Sequence, residues 1–195
     1  LDGHQPSGPW RGGKYSAFEG GTAIPAIVHW PEQIKEGKVS DALISQIDWM
    51  ASLGSLIDAK FPKGSAIDSH NRLGNLLGTD NSHRPWVVEQ AANKTLSIRT
   101  IDWKYIEPHN GPKMIPWGPK IETGNHPTPQ LYHMKDDAAE QQNIATQHPE
   151  KVSEFTTLLK DIRNQTGRTS FCATDGNTHR RTTASPYASH TKQKH

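Results

Sequence analysis

Two cations, Arg11 and Lys14, one acid, Glu19, and five glycines fall within Gly8-Pro9-Trp10-Arg11-Gly12-Gly13-Lys14-Tyr15-Ser16-Ala17-Phe18-Glu19-Gly20-Gly21. Glycines let backbone N–H groups come close to a ligand, and a flexible ammonium among them meets a sulfate or phosphate oxygen as a point charge. The spacing therefore predicts a rigid anion-binding loop with Lys14 as its charge; the plainer reading is a solvated lysine. Arg11 can offer a bidentate fork to the same anion or pair with a nearby acid such as Glu19. Glu19 has no second carboxylate close in sequence with which to share acid–base work, so it is expected to fix the loop by hydrogen bonding. His4, in Gly3-His4-Gln5-Pro6-Ser7, is near enough to touch a substrate or to donate to a leaving group, and is otherwise a surface histidine.

The remaining reactive side chains form no recognisable constellation. The 11 histidines are scattered, with none at the i, i+4 spacing of a helical zinc pair. Asp136, Asp137 and Glu140 lack the glycine and closing glutamate of a calcium loop and read as a turn leading into a helix. Ser7 and Ser16 have no neighbouring His and acid arrangement. Cys172 is the single cysteine, so no internal disulfide can form. Trp10, Trp30, Trp103 and Trp117 can stack on sugars or anchor packing.

The elements that must hold this loop are modest. Of 195 residues only 32% are hydrophobic, and 16 Gly with 14 Pro imply long loops around a small core. A net charge of +2 gives no cationic face for nucleic acid, and no apolar run is long enough to span a membrane. The beginning, Leu1-Asp2-Gly3-His4, has neither Met nor a leader pattern and is not expected to be a natural start.

Residues 1–21 read as loop and residues 23–30, closed by Pro31, as a short buried strand. Ser40 and Asp41 suit the start of a helix whose apolar positions Leu43, Ile47, Met50, Leu53 and Ile57 recur to about residue 59. A short helix is predicted over 71–77, stopped by Gly78. Strands over 86–90 and 95–102 flank Ala92-Asn93-Lys94 as a hairpin, with residues 103–106 extending its second arm. Residues 107–129 read as irregular loop and 130–134 as a strand. Pro149 opens a helix whose apolar face is Val152, Phe155, Leu159 and Ile162, ending near Arg163. Beyond Asn164 the chain is polar, and a disordered tail is expected over 166–195.

The run from Ser7 to Ser16, with Phe18-Glu19-Gly20-Gly21 and Pro25, closely resembles the segment of type I sulfatases that follows their metal-binding Asp-Asn pair. Trp30-Pro31, Val39-Ser40-Asp41, Ile47-Asp48, the stretch Arg99 to Ile106, Leu131-Tyr132 with Asp136, Glu140 and Asn143, and the helix after Pro149 follow the same family's C-terminal half in order, over about residues 1–165. The tail after Gly167 departs from it.

This resemblance, to a formylglycine-dependent, arylsulfatase-like member of the alkaline phosphatase superfamily, implies an α/β fold. Residues 1–80 would end the large α/β domain, and 81–165 would form a small antiparallel sheet packed on a C-terminal helix. It implies hydrolysis of a sulfate ester, with carbohydrate favoured by the Gly-His-Gln-Pro-Ser-Gly-Pro lead-in, and calcium held by Asp and Asn ligands outside this chain. Lys14 matches the lysine that contacts the substrate sulfate; His4 and Arg11 are substrate-side candidates without a transferred role. Cys172, followed by Ala173-Thr174-Asp175, does not fit the Cys/Ser-x-Pro/Ala-x-Arg nucleophile motif, so nucleophile and metal ligands are expected upstream. The chain alone is therefore expected to be inactive. The implied partners are a sulfated small molecule or glycan and the missing N-terminal sulfatase portion, in a periplasmic or secreted setting. Two alternatives stand beside this reading: a non-enzymatic module that binds an anion or sulfated glycan, and a fragment of a related phosphohydrolase.

Overall fold

The computed structural model describes residues 6–117 and 120–164, so His4, Cys172 and the expected tail lie outside the described residues. Two compact units are present. One consists of the described residues up to Ile27 together with His83–Arg163, the other of Val28–Ser82.

In the first unit, β1 (Val87–Gln90), β2 (Leu96–Arg99), β3 (Trp103–Ile106) and β4 (Gln130–His133) form an antiparallel sheet in chain order. The hairpin expected at 92–94 joins β1 to β2, with Lys94 in the left-handed region at φ 72°. Residues 103–106 do not extend the second arm. They are a separate strand that turns back on β2, with Ile98 opposite Tyr105 and Arg99 opposite Lys104. The turn has no glycine or proline to announce it. Thr100 makes it, its N–H donating to the Trp103 carbonyl at 2.9 Å and its Oγ1 accepting from the Trp103 N–H at 3.0 Å. Among the described residues, 107–117 and 120–129 are irregular apart from one bridge between Met114 and Glu122.

Strand alternation assigns the two faces of this sheet. Ile98, Tyr105 and Leu131 pack with Phe155 and Leu159 of the C-terminal helix (Pro149–Asn164), joined by Val88, Trp103 and Val152. Tyr105 also reaches Thr156 Oγ1 at 2.9 Å, and burial raises the Tyr105 pKa. Arg163 closes the helix by donating to both Glu107 oxygens, at 2.7 and 2.6 Å. Because Phe155 is buried among these residues, Phe155→Ala is expected to cost about 3–5 kcal/mol in urea denaturation. Exposed Lys160→Ala, on the same helix, should stay within about 0.5 kcal/mol.

The opposite sheet face buries polar residues, Ser97, Lys104 and Gln130, as well as Ile106 and Tyr132. What covers it is the glycine-rich segment, including α1 (Glu19–Thr22): Ala17 and Phe18 join Ile106, Tyr132 and Met134 in one apolar cluster. A two-sided sheet thus rests on a helix on one side and on the candidate loop on the other.

Residues 23–30 are not the buried strand expected of them. They have no strand neighbour, Pro25 lacks an N–H, and Ile24 and Ile27 are 66% and 89% exposed.

In the second unit the helix expected to begin at Ser40 begins later, as α2 (Asp48–Leu56), and α3 (Leu73–Leu76) follows. Ser40 Oγ accepts from Ala42 N–H at 3.2 Å, but no helix continues from it. Asp48 instead staples the start of α2, its two carboxylate oxygens accepting from the N–H groups of Ser45 and His70, each at 2.9 Å. Ser52 accepts from the Arg72 N–H at 2.8 Å. The helix consequently buries Asp48, Ser52 and Gly54, while Met50 within it and Ile57 just after it are 55% and 73% exposed. Gly78 stops α3 with φ 69°, as expected.

Candidate functional site

The loop expected to cradle an anion is fixed by its own backbone. Gly20 N–H donates to Arg11 O at 2.9 Å, Ser16 N–H to Gly13 O at 2.9 Å, and Gly21 N–H to Phe18 O at 2.8 Å. Three glycines are sterically required, Gly20 among them because a Cβ there would lie 2.5 Å from Arg11 O. Gly12 has φ 80°, and a Cβ on Gly21 would lie 2.4 Å from Ser16 O and 2.6 Å from Gly13 O. Ala17 N–H donates to Thr123 O at 2.9 Å, tying the loop to the 107–129 segment.

Lys14 stands exposed on this loop, its ammonium 5.1 Å from the centroid of the Tyr15 ring. Tyr15 has φ 84° and its ring lies 6.2 Å from that of Trp117. A cation is thus held by fixed backbone with its head in solvent, which suits contact with a sulfate or phosphate oxygen.

Arg11 is committed elsewhere. Its Nε and Nη2 donate to the two oxygens of Glu122 at 2.7 Å each, its Nη1 donates to Glu140 O at 2.7 Å, and its guanidinium lies 4.1 Å from the Phe18 ring centroid. The hydrogen bonds that Arg11 donates to Glu122 hold the Arg11 pKa above its ordinary value and lower that of Glu122. The acid on Arg11 is therefore Glu122 and not its sequence neighbour Glu19.

Glu19 fixes the loop, as its isolation in sequence implied, but the structure brings it other carboxylates. Its Oε1 accepts from Lys104 Nζ at 2.9 Å, and Arg99 Nε lies 3.5 Å from its Oε2. Lys104 is fully buried and also bonds Thr22 Oγ1, at 3.0 Å, and Glu89. Burial works to lower the Lys104 pKa, but Glu89, Glu19 and Glu140 together push it up to about 12. Burial works to raise that of Glu19, and the charges of Lys104 and Arg99 outweigh it, leaving it low. Glu140, read as part of a surface turn, lies on this cluster and accepts from the Glu19 N–H at 2.6 Å. It does not lead into a helix: Asp137 caps the turn through the N–H groups of Gln141 and Gln142.

Lys104, Glu89, Glu122 and Glu140 carry no local signal of this role. The one hint is a lysine inside the strand Trp103-Lys104-Tyr105-Ile106, where a cation with apolar neighbours needs a buried partner. Among the described residues no group of three or more His, Cys, Asp or Glu is arranged to hold a metal ion. Buried Glu19 and Glu140 and half-buried Glu89 already face Lys104, so this chain's described residues do not fit a calcium site.

This combination of fold and loop has relatives. The model of the sulfatase family matches residues 2–59. An N-acetylgalactosamine-6-O-sulfatase from Bacteroides thetaiotaomicron is 47% identical over 165 residues, 85% of this chain and 32% of that protein. An ulvan-active sulfatase from Formosa agariphila is 27% identical over 172 residues, 77% of this chain and 34% of that protein. A Bacteroides thetaiotaomicron structure described in connection with the metabolism of multiple glycosaminoglycans superposes with a TM-score of 0.80 at 47% identity, over 85% of this chain and 34% of that one. The chain belongs to the sulfatase family, within the alkaline phosphatase superfamily. It spans about a third of the length of the relatives it matches. No helix among the described residues is long and apolar enough to cross a membrane.

Proposed function

We propose that this chain is the C-terminal portion of a type I sulfatase, a sulfuric ester hydrolase, and that Lys14 contacts the sulfate group of its substrate. The observation that carries this reading is an exposed ammonium on a backbone-pinned glycine loop, in a chain 47% identical to a named sulfatase over 165 residues. Lys14 would hold sulfate oxygens and stabilise the charge that gathers on them during transfer. Formylglycine and calcium would be supplied by the rest of the enzyme. Residues 1–80 would complete the large α/β domain, 81–165 would form the C-terminal subdomain, and the exposed apolar side chains of Ile24, Ile27, Met50 and Ile57 would be covered by the rest of that domain. Arg11, occupied by Glu122, would shape the pocket wall, and His4 remains a substrate-side candidate. A sulfated sugar is the favoured substrate, with 6-O-sulfated N-acetylgalactosamine first because the relative at 47% identity carries that name. A periplasmic or secreted location goes with such a substrate.

The test is sulfate release from 6-O-sulfated N-acetylgalactosamine and from an aryl sulfate, with calcium. The chain alone is expected to release none, and the chain produced together with the rest of its parent polypeptide is expected to turn over. Robust turnover by the chain alone overturns the division of labour. Saturable binding of a sulfated oligosaccharide without release by the joined protein points to a binding module instead.

A further inference from the structure

One residue grips the Lys14 loop on both flanks. The main-chain oxygen of Glu140 accepts from Arg11 Nη1 at 2.7 Å, before Lys14, and its Oε2 accepts from the Glu19 N–H at 2.6 Å, after it. To make both contacts Glu140 takes a left-handed backbone, φ 54°, that residues with a Cβ rarely adopt. It is fully buried, and its Oε1 has no hydrogen-bond partner among the described residues.

A carboxylate needed only to close the turn would behave as Asp137 does, bonding its own turn at the surface. Glu140 gives up solvation and half of its bonding capacity to reach the loop, an arrangement that costs stability. Costs of this kind are retained where geometry matters to function. We propose that Glu140 is a positioning residue for substrate sulfate, its carbonyl holding the Arg11 side chain before Lys14 and its carboxylate the Glu19 backbone N–H after it, and so aiming that ammonium; this rests on the reading of Lys14 given above.

The charged and titratable groups facing Glu140 are Lys104 from β3, Glu89 from β1, Glu19 from α1, Arg11 from the loop and Tyr132 from β4. Burial pushes its carboxyl up to about 7; Lys104 and the Glu19 N–H oppose this, while Glu19 and Glu89 add to it. The sign for stability follows from linkage. Between the ordinary carboxylate range and about 7 the folded chain keeps a proton that the unfolded chain has released. This contribution is therefore complete below the ordinary range and is lost as pH rises through the folded value. The grip on Glu19 N–H has the opposite sign, since that bond becomes charge-assisted only when the carboxylate ionises. Positioning and stability thus run in opposite directions across neutral pH.

The experiment is an amide ¹⁵N titration of the full chain with pH, and with inorganic sulfate as the probe. In the wild type the Glu19 amide should titrate with a midpoint near 7, and sulfate affinity read at the Gly13 and Lys14 amides should rise through the same midpoint. Glu140→Gln keeps an acceptor for the Glu19 N–H but cannot ionise; both pH dependences should vanish, with sulfate bound nearly as in the neutral wild type. Glu140→Ala should weaken sulfate by about tenfold through loss of loop geometry, and if that variant fails to fold, the glutamine variant carries the test. A Glu19 amide that does not titrate, or that titrates unchanged in Glu140→Gln, overturns the proposal. Lys14→Ala separates the two readings. If it binds sulfate as tightly as wild type, the Lys14 reading fails and the aiming role with it, while the Glu19 titration still reports whether the clamp itself exists.

Discussion

Lys104→Ala should unfold the sheet unit at far lower urea than the wild type, with a loss on the order of 3–5 kcal/mol. The side chain is fully buried, and its ammonium is bonded to Glu19 Oε1 at 2.9 Å, Thr22 Oγ1 at 3.0 Å and Glu89. Removing it leaves two carboxylates, and Glu140 beside them, inside the protein with only Arg99 near Glu19. A single domain has only about 5–15 kcal/mol to lose, so this one change consumes much of it. The pH dependence separates electrostatics from the cavity. In the wild type Glu19 is held below its ordinary pKa by Lys104 and Arg99 against burial, so its contribution is present above the ordinary value and is lost as pH falls through the lowered one. Without Lys104 burial is opposed only by Arg99, the carboxylates should retain protons to higher pH, and mild acid should restore part of the loss. Equal destabilisation of Lys104→Ala and Lys104→Met at every pH, with no such recovery, would contradict the electrostatic account.

That cluster shows where reading along the chain reaches its limit. The helix from Pro149 follows from apolar periodicity, which records which face meets a core, and the strands at 87–90, 96–99 and 130–133 fall within the runs read as strands, 86–90, 95–102 and 130–134. Periodicity also makes Ser97, Lys104 and Gln130 the polar positions of alternating strands, and the natural inference is that they face water. They face the glycine loop instead. What a polar strand face meets depends on a segment some 80 residues away in sequence, as the 85-residue separation of the Lys104–Glu19 bond illustrates. The same limit applies to Arg11, whose acid, Glu122, is separated from it by 111 positions while Glu19 is near. Residues 23–30 fail for a related reason: composition suits a buried strand, but a strand needs a neighbour to pair with. The glycine loop was legible because its signal is local, two cations and five glycines in one run. Its support was not, because Glu140 joins the loop only through the fold.

On the sulfatase reading proposed above, Lys14→Ala in the joined protein should lower kcat/KM for a sulfate ester by about 10²–10³-fold, the scale of losing one preorganised donor to developing charge. Lys14 is exposed and its ammonium lies over the Tyr15 ring, 5.1 Å from the centroid, so stability should change by less than about 0.5 kcal/mol. Arg11→Ala makes the contrasting case. Its guanidinium bonds both oxygens of Glu122 and the carbonyl of Glu140 and covers Phe18, so its loss should lower the denaturation midpoint before it alters chemistry. Lys14→Arg keeps the charge but replaces a compact point charge with a planar fork on a loop whose backbone cannot readjust. It should recover only part of the activity, and mainly in KM. If Lys14→Ala turned over as fast as wild type, or lost activity only in step with stability, the loop would be a wall of the pocket and not a contact to sulfate. A loss of kcat at unchanged stability, with Arg11→Ala showing the reverse, is the pattern that a sulfate-contacting lysine on a rigid loop requires.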